Sequence, residues 1–168
     1  MGFGDLSEVY RRWVEDYYQD VYRWCFRYVG NSLDAQDLTQ ETFTNAFRYI
    51  ETFRGDASAR TWLLSIATRA FLQSTRRAGR DLSFPKADVP VTEAARSAEA
   101  IAVDRLEKVE IWSLVRTLPD NERIAIALFY GEDLSYNEIA EVMNVNLQQV
   151  RNYIHRGRKR LQNLVGRE

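Results

Sequence analysis

The chain has 168 residues, 45% hydrophobic and 28% charged, and its 23 Lys and Arg against 24 Asp and Glu leave a formal net charge of −1. That length allows one domain or two small ones, and the balanced charge excludes a general coater of nucleic acid; contact with a polyanion must come from local basic faces, with acidic faces elsewhere. A single cysteine, Cys25, excludes an internal disulfide and argues for a reducing compartment, and a single histidine, His155, excludes a His/Cys metal site.

In chain order almost everything reads as helix. From about Ser7 to Val29, residues Tyr10, Trp13, Val14, Tyr17, Val21, Trp24, Cys25 and Tyr28 fall on one stripe. Cys25 on that stripe is expected to be a buried thiol. Gly30-Asn31 ends this helix and Ser32 is placed to cap the next. The second helix, to about Ile50, is expected to bury Ala35, Leu38, Thr42, Phe43, Ala46, Phe47 and Ile50, with Asp34, Asp37, Gln40, Glu41 and Arg48 on the opposite face. From the residues alone that face reads as a solvated acidic surface. A turn at Arg54-Gly55-Asp56 interrupts the pattern. A third helix then runs to about Arg77, with Trp62, Leu63, Ile66, Ala67 and Ala70 inward and Arg69, Gln73, Arg76 and Arg80 along its outer side.

The helical pattern fails from Asp81 to about Ala98, where Pro85, Pro90, small residues and mixed charge mark a flexible linker. Leu106, Val109, Trp112, Val115 and Leu118 restart a helix. Pro119-Asp120 opens another, with the proline expected at the first helical position, and Gly131 closes it. The expected architecture is therefore all-α: residues 1–80 and 99–168 form two small helical domains joined by the 81–98 linker.

The last 34 residues limit the function most sharply. Ser135 followed by Glu138 is a capping box, and Ile139, Val142 and Met143 give the helix after it one apolar face. Ala140 permits close crossing by another helix. Asn144 suits the left-handed position that ends a helix, and Asn146 is a good cap for the next. There Leu147, Val150, Ile154, Leu161 and Leu164 share the inward stripe, while Gln148, Gln149, Arg151, Asn152, His155 and Arg156 point elsewhere. From Leu147 onward six Lys and Arg face one acid, Glu168. This is the pattern of a helix-turn-helix, whose second helix can present Gln and Asn to adenine edges and Arg to guanine edges or phosphates. The competing reading is a solvated basic face on an ordinary bundle helix.

Three segments in order carry a family resemblance. Residues Asp34 to Phe43, Phe53 to Leu63 and Leu118 to Leu161 resemble, respectively, the polymerase-docking helix, the −10-opening segment and the −35-reading domain of the extracytoplasmic-function sigma factors of bacterial RNA polymerase. The resemblance covers about Val9 to Leu161. It implies docking of Asp34, Asp37, Gln40 and Glu41 on the coiled-coil clamp of the polymerase's largest subunit. Phe53, Arg54, Ser58 and Arg60 would meet the non-template strand of the −10 element, with Arg69, Arg76 and Arg77 on phosphates. An aromatic and arginine-bearing loop beside a basic helix suits the capture of unpaired bases. Trp62 is expected in the core, and Phe53 is open between core and stacking platform. Gln148, Gln149, Arg151, Asn152 and His155 would read the −35 element, with Arg156 and Arg160 on phosphates. The resemblance further implies contact of the second domain with the flap of the second-largest subunit, and an anti-sigma partner.

Two positions depart from the family pattern. Arg69 stands where the family often has Asn near its base pocket, which leaves phosphate anchoring and an altered −10 preference both open. Asn144 replaces the more usual turn glycine. No nucleophile is paired with a base and no glycine loop cradles a phosphate, so no enzyme activity, cofactor or metal is expected. A cytoplasmic protein is expected, without secretion signal, membrane span or appended sensory domain. The competing function is a DNA-binding regulator whose front domain senses a ligand or dimerises.

Overall fold

The computed structural model describes residues 3–77 and 111–165. All regular structure among them is helical: α1 (Phe3–Val29), α2 (Ser32–Tyr49), a 3-10 turn (Ile50–Thr52), α3 (Ala59–Arg77), a helical segment 111–116, α4 (Asp120–Gly131), α5 (Tyr136–Met143) and α6 (Leu147–Val165). The expected linker at 81–98, together with Arg80, Leu106 and Val109, lies outside the described residues.

The first half is a three-helix unit, α1 on α2, α2 on α3 and α1 on α3. The α1 stripe packs as its periodicity predicts, with Val21, Trp24, Cys25 and Tyr28 fully buried against Leu63, Leu64, Ala67 and Phe71 of α3 and Ala35, Leu38 and Ala46 of α2. The helix begins at Phe3, about four residues before the sequence pattern does; exposed pairs of Arg11 with Glu8 and Glu15 line its second to fourth turns. Gly30 ends it at φ +80, a left-handed conformation that an L side chain rarely adopts, and its N–H donates to Phe26 O at 2.8 Å. That leaves a single extended residue before α2. The cap is therefore Asn31, not Ser32: its side chain accepts from Asp34 N at 2.9 Å. Thr39 and Thr42 are buried in α2, and each returns its hydroxyl to the carbonyl four residues back at 2.7 Å.

Phe47 is the misplaced residue of this half. It was expected inside and is 54% exposed. The buried stripe of α2 follows Ala35, Leu38, Thr39, Thr42, Phe43 and Ala46, and Phe47 lies one step further round the helix, its ring 4.9 Å from that of Tyr10.

In the second half α4 packs on α6, α5 on α6 and α4 on α5. Pro119 caps α4 from outside, its carbonyl accepting from Arg123 N at 2.9 Å, so Asp120 and not the proline is the first helical residue. Val150 and Ile154 of α6 are buried as expected, but Leu164 is 39% exposed. The buried position that completes the stripe is Gly157: a Cβ there would lie 2.7 Å from Ile126 Cγ1 of α4, so only glycine lets the two helices approach this closely.

The halves do not stand apart. α3 packs on α5 and α1 on α4. Tyr28 donates its buried hydroxyl to Ile124 O at 3.0 Å, and the Arg123 guanidinium lies 5.0 Å from the Phe71 ring centre.

Candidate nucleic-acid interface

The capping residues of α5 and α6 build the recognition element. Ser135 Oγ accepts from Glu138 N at 3.3 Å and Glu138 Oε2 accepts from Ser135 N at 2.8 Å, the reciprocal pair read from the sequence. The Ser135 hydroxyl also donates to Glu138 Oε2 at 2.7 Å, and this bond, with that from the Ser135 N–H, holds the Glu138 carboxyl below its ordinary value. Asn144 adopts φ 52, ψ 52, and the bond from Val145 N to Ala140 O at 3.0 Å closes the turn. Asn146 then caps α6 in the same reciprocal way: its Oδ1 accepts from Gln149 N at 2.8 Å, and its N–H donates to Gln149 Oε1 at 3.0 Å. Gln149 is thus engaged in starting the helix.

Gln148, Arg151, Asn152 and His155 are exposed at spacings of three and four, so they share one outward face. The Gln148 amide donates to Asn152 Oδ1 at 3.1 Å, which fixes the pair relative to each other. Arg156 and Arg160 are exposed but lean on α4: their Nε atoms lie 3.6 and 2.9 Å from the carboxylate oxygens of Glu122, whose side chain is only 6% exposed. The helix carries five Lys and Arg and no acid, so its outward face combines hydrogen-bonding groups that can read base edges with a positive field that attracts phosphates.

On the first half, Asp34 sits at the start of α2 and accepts from the Asn31 amide at 2.7 Å. Asp37 and Gln40 are exposed on the next turns. Glu41 is half-buried and lines a cleft of about 370 Å³ with Asn45, Arg48, Tyr49, Ile66, Arg69, Ala70 and Gln73. The acidic face of α2 and the basic face of α3 therefore meet at one groove. Arg76 is exposed further along α3, and Arg77 is the last residue of that helix.

The loop before α3 is less open than its composition implies. Phe53 is half-buried, its ring edge-on to Trp13 at 4.9 Å and 5.5 Å from Trp62, so both aromatics belong to one cluster against α1. Ser58 Oγ accepts from Thr61 N at 3.0 Å, starting α3. Arg54 is exposed, while Arg60 turns toward the second half and pairs with Glu132.

Glu122, Glu132 and Arg27 were not singled out by sequence. Their partners are distant in the chain, and no periodicity announces a buried acid.

Comparison with known proteins agrees with this geometry. Residues 13–81 match Sigma-70 region 2 and residues 108–161 match Sigma-70 region 4. The chain is 35% identical over 156 residues to the ECF RNA polymerase sigma factor SigE of Mycolicibacterium smegmatis, covering 92% of this chain and 60% of that relative's length. It is 32% identical over 169 residues to SigW of Bacillus subtilis, covering 95% of this chain and 86% of that protein. Among solved structures, the sigma factor RpoE of Bartonella quintana, in complex with the anti-sigma factor NepR, shares the fold with a TM-score of 0.74 at 19% identity, over 96% of this chain and 99% of that one. CnrH, in complex with the cytosolic domain of CnrY, does so with a TM-score of 0.69 at 21% identity, over 95% of this chain and 89% of that one.

Proposed function

The chain belongs to the extracytoplasmic-function group of bacterial RNA polymerase sigma factors, and on that premise we propose how its parts divide the work of promoter recognition. Residues 1–80 dock on the core enzyme and capture the −10 strand, residues 99–168 read the −35 element, and 81–98 tether them. The observation that carries this reading is the outward stripe of Gln148, Arg151, Asn152 and His155 on a capped helix-turn-helix, in a chain whose other half carries an acidic α2 face beside a basic α3 face.

Docking falls to Asp34, Asp37, Gln40 and Glu41, on the clamp of the largest subunit; exposed carboxylates on a helix can pair with Arg and Lys of a facing helix across an interface. Asp37 leads because it is exposed and, among the described residues, no hydrogen bond or ion pair engages its side chain. Arg54, Ser58 and Arg60 approach the non-template −10 strand, with Arg69, Arg76 and Arg77 on phosphates. Arg69 lines the cleft of α2 and α3, which supports a place near a captured base. The work is binding and strand capture, in which trapping unpaired bases offsets an unpairing cost of a few kcal/mol; no covalent step is required. The second half would also touch the flap of the second-largest subunit. An anti-sigma partner is part of the proposal, supported by the solved structures of like fold. No helix among the described residues is long and apolar enough to cross a membrane, and the proposed site of action is the cytoplasm, where the polymerase works.

The test is initiation. Purified protein added to core enzyme directs transcripts from a matching promoter in a library. A protein that binds duplex DNA but confers no initiation on bare core is instead a stand-alone regulator.

A further inference from the structure

Two of the five cations of α6 turn back on one buried acid of α4. Glu122 lies in the first turn of α4, where the helix dipole favours a carboxylate, and its side chain is only 6% exposed. Arg156 Nε is 3.6 Å from its Oε1 and Arg160 Nε is 2.9 Å from its Oε2, while the two arginine side chains stay 54% and 57% exposed. Asp120, the other acid of that turn, pairs with Arg123 instead.

The crossing of the helices makes this arrangement possible. A Cβ at Gly157 would meet Ile126 and would lie 3.6 Å from Glu122 O, so the glycine brings α6 down on the first turn of α4. Arg156 and Arg160 flank that glycine, one helical turn apart, and each takes a different oxygen. Arg156 is backed further by Tyr153, whose ring centre is 5.5 Å from the guanidinium carbon.

In both pairs it is Nε, the inner nitrogen of the guanidinium, that approaches the carboxylate. An arginine steered from that side keeps its two terminal nitrogens for a ligand. Glu122 Oε2 is also buried without accepting a hydrogen bond among the described residues, although buried acceptors are ordinarily satisfied. Ion pairs of exposed arginines contribute little stability by themselves. Their larger consequence falls on binding, because fixing a long side chain in a complex costs rotamer freedom and one already steered into place loses less.

We propose that Glu122 is a positioning residue for DNA binding: its buried carboxylate buttresses Arg156 and Arg160, so that their terminal nitrogens face phosphates of the −35 duplex. A phosphate that fixes Arg160 lets its Nε–H align on the unused Oε2, so the acid and the DNA hold the guanidinium from opposite sides. The buttress rests on the placing of α6 on the −35 element given above. The same carboxylate also repels phosphate, and the two effects have opposite signatures in salt.

The test uses the full chain, Glu122→Gln as the neutral variant of like shape, and a −35 duplex from the promoter library. Fluorescence anisotropy is read at several salt concentrations, beside thermal melts. On logarithmic scales the affinity falls linearly with salt, with a slope of about −0.9 per phosphate neutralised. Glu122→Gln should bind about fivefold more weakly, evenly across −35 sequences. Its salt slope should be shallower by about one to two units, as for the loss of one or two phosphate contacts. In the Arg156→Ala, Arg160→Ala double variant the same change at Glu122 should have no further effect, since Glu122 acts through those side chains. A folding defect alone lowers the melting temperature and the active fraction but leaves the slope of the folded protein unchanged. Tighter binding with a steeper slope makes Glu122 a mere counter-charge and overturns the buttress. An unchanged slope overturns it too, as does an equal loss in the double variant. If wild-type protein initiates with core enzyme and Glu122→Gln binds the duplex as wild type does, the sigma reading stands and the buttress falls. Wild-type protein that neither joins core nor binds the duplex overturns the reading and the buttress with it.

Discussion

Cys25 and Gly157 show how much a small side chain can decide. Burial pushes the Cys25 thiol up to about 12, against the lowering influence of a hydrogen bond with Thr39. A group whose acidity is weakened this far stays protonated across the neutral range, and the thiolate is the reactive form. Folded protein should therefore resist alkylation at pH 8, with one thiol appearing in full on denaturation; rapid labelling of native protein would contradict the burial. Gly157 is governed by space. Alanine there would gain about 0.5–1 kcal/mol of helix propensity, but its Cβ would press on Ile126, which is only 2% exposed and has nowhere to move. Overpacking of this kind costs about 1–3 kcal/mol, so Gly157→Ala should lower the denaturant midpoint, and an unchanged midpoint would mean that α4 and α6 can shift apart. The burial of Cys25 was legible because its neighbours in sequence set the stripe. The glycine was not, because its constraint comes from another helix.

At the level of the element, the caps were the most legible features, since a cap is made within four residues. Ser135, Glu138, Asn144 and Asn146 all act as their types and spacing predict. Ser135→Ala should cost about 1 kcal/mol. Its pH dependence has a definite sign. Bonding to Ser135 depresses the Glu138 carboxyl in the folded state, so the stability it contributes is present at neutral pH and is lost as pH falls below the ordinary carboxylate value. The difference between wild type and Ser135→Ala in thermal melts should accordingly shrink on acidification. The same reciprocal spacing recurs at Asn146 and Gln149, yet sequence reasoning put Gln149 with the base readers. Because the Gln149 side chain is committed to the cap, Gln149→Ala should weaken −35 binding evenly across sequences by destabilising the start of α6. Arg151→Ala, on the open face, should cost about 1–3 kcal/mol at particular base pairs. A mutant-by-operator affinity matrix separates the two patterns.

Across the whole molecule, helix content and the order of the elements could be read from periodicity, but the junction between the halves could not. Tyr28 and Ile124 are 96 residues apart, and Arg27 and Glu132 are 105 apart; no local pattern encodes such pairings, and the intervening linker conceals them further. What the sequence did convey is the segregation of charge behind a net value of −1, with an acidic surface on α2 and a wholly basic α6. That segregation makes Asp37 the sharpest probe of docking. Glu41 is half-buried in a cleft it shares with Arg48 and Arg69, so reversing it would place a third cation there and disturb the fold as well as the surface. Asp37 is exposed, and its reversal changes only what α2 shows to a partner. Asp37→Lys should therefore keep its melting temperature and its affinity for a −35 duplex while losing at least about tenfold in affinity for core polymerase, the size of effect that like-charge juxtaposition produces. Titration of labelled protein with core enzyme at two salt concentrations measures it, and the wild-type advantage should narrow as salt screens the contact. Undiminished affinity of Asp37→Lys for core would move the docking surface off this face of α2.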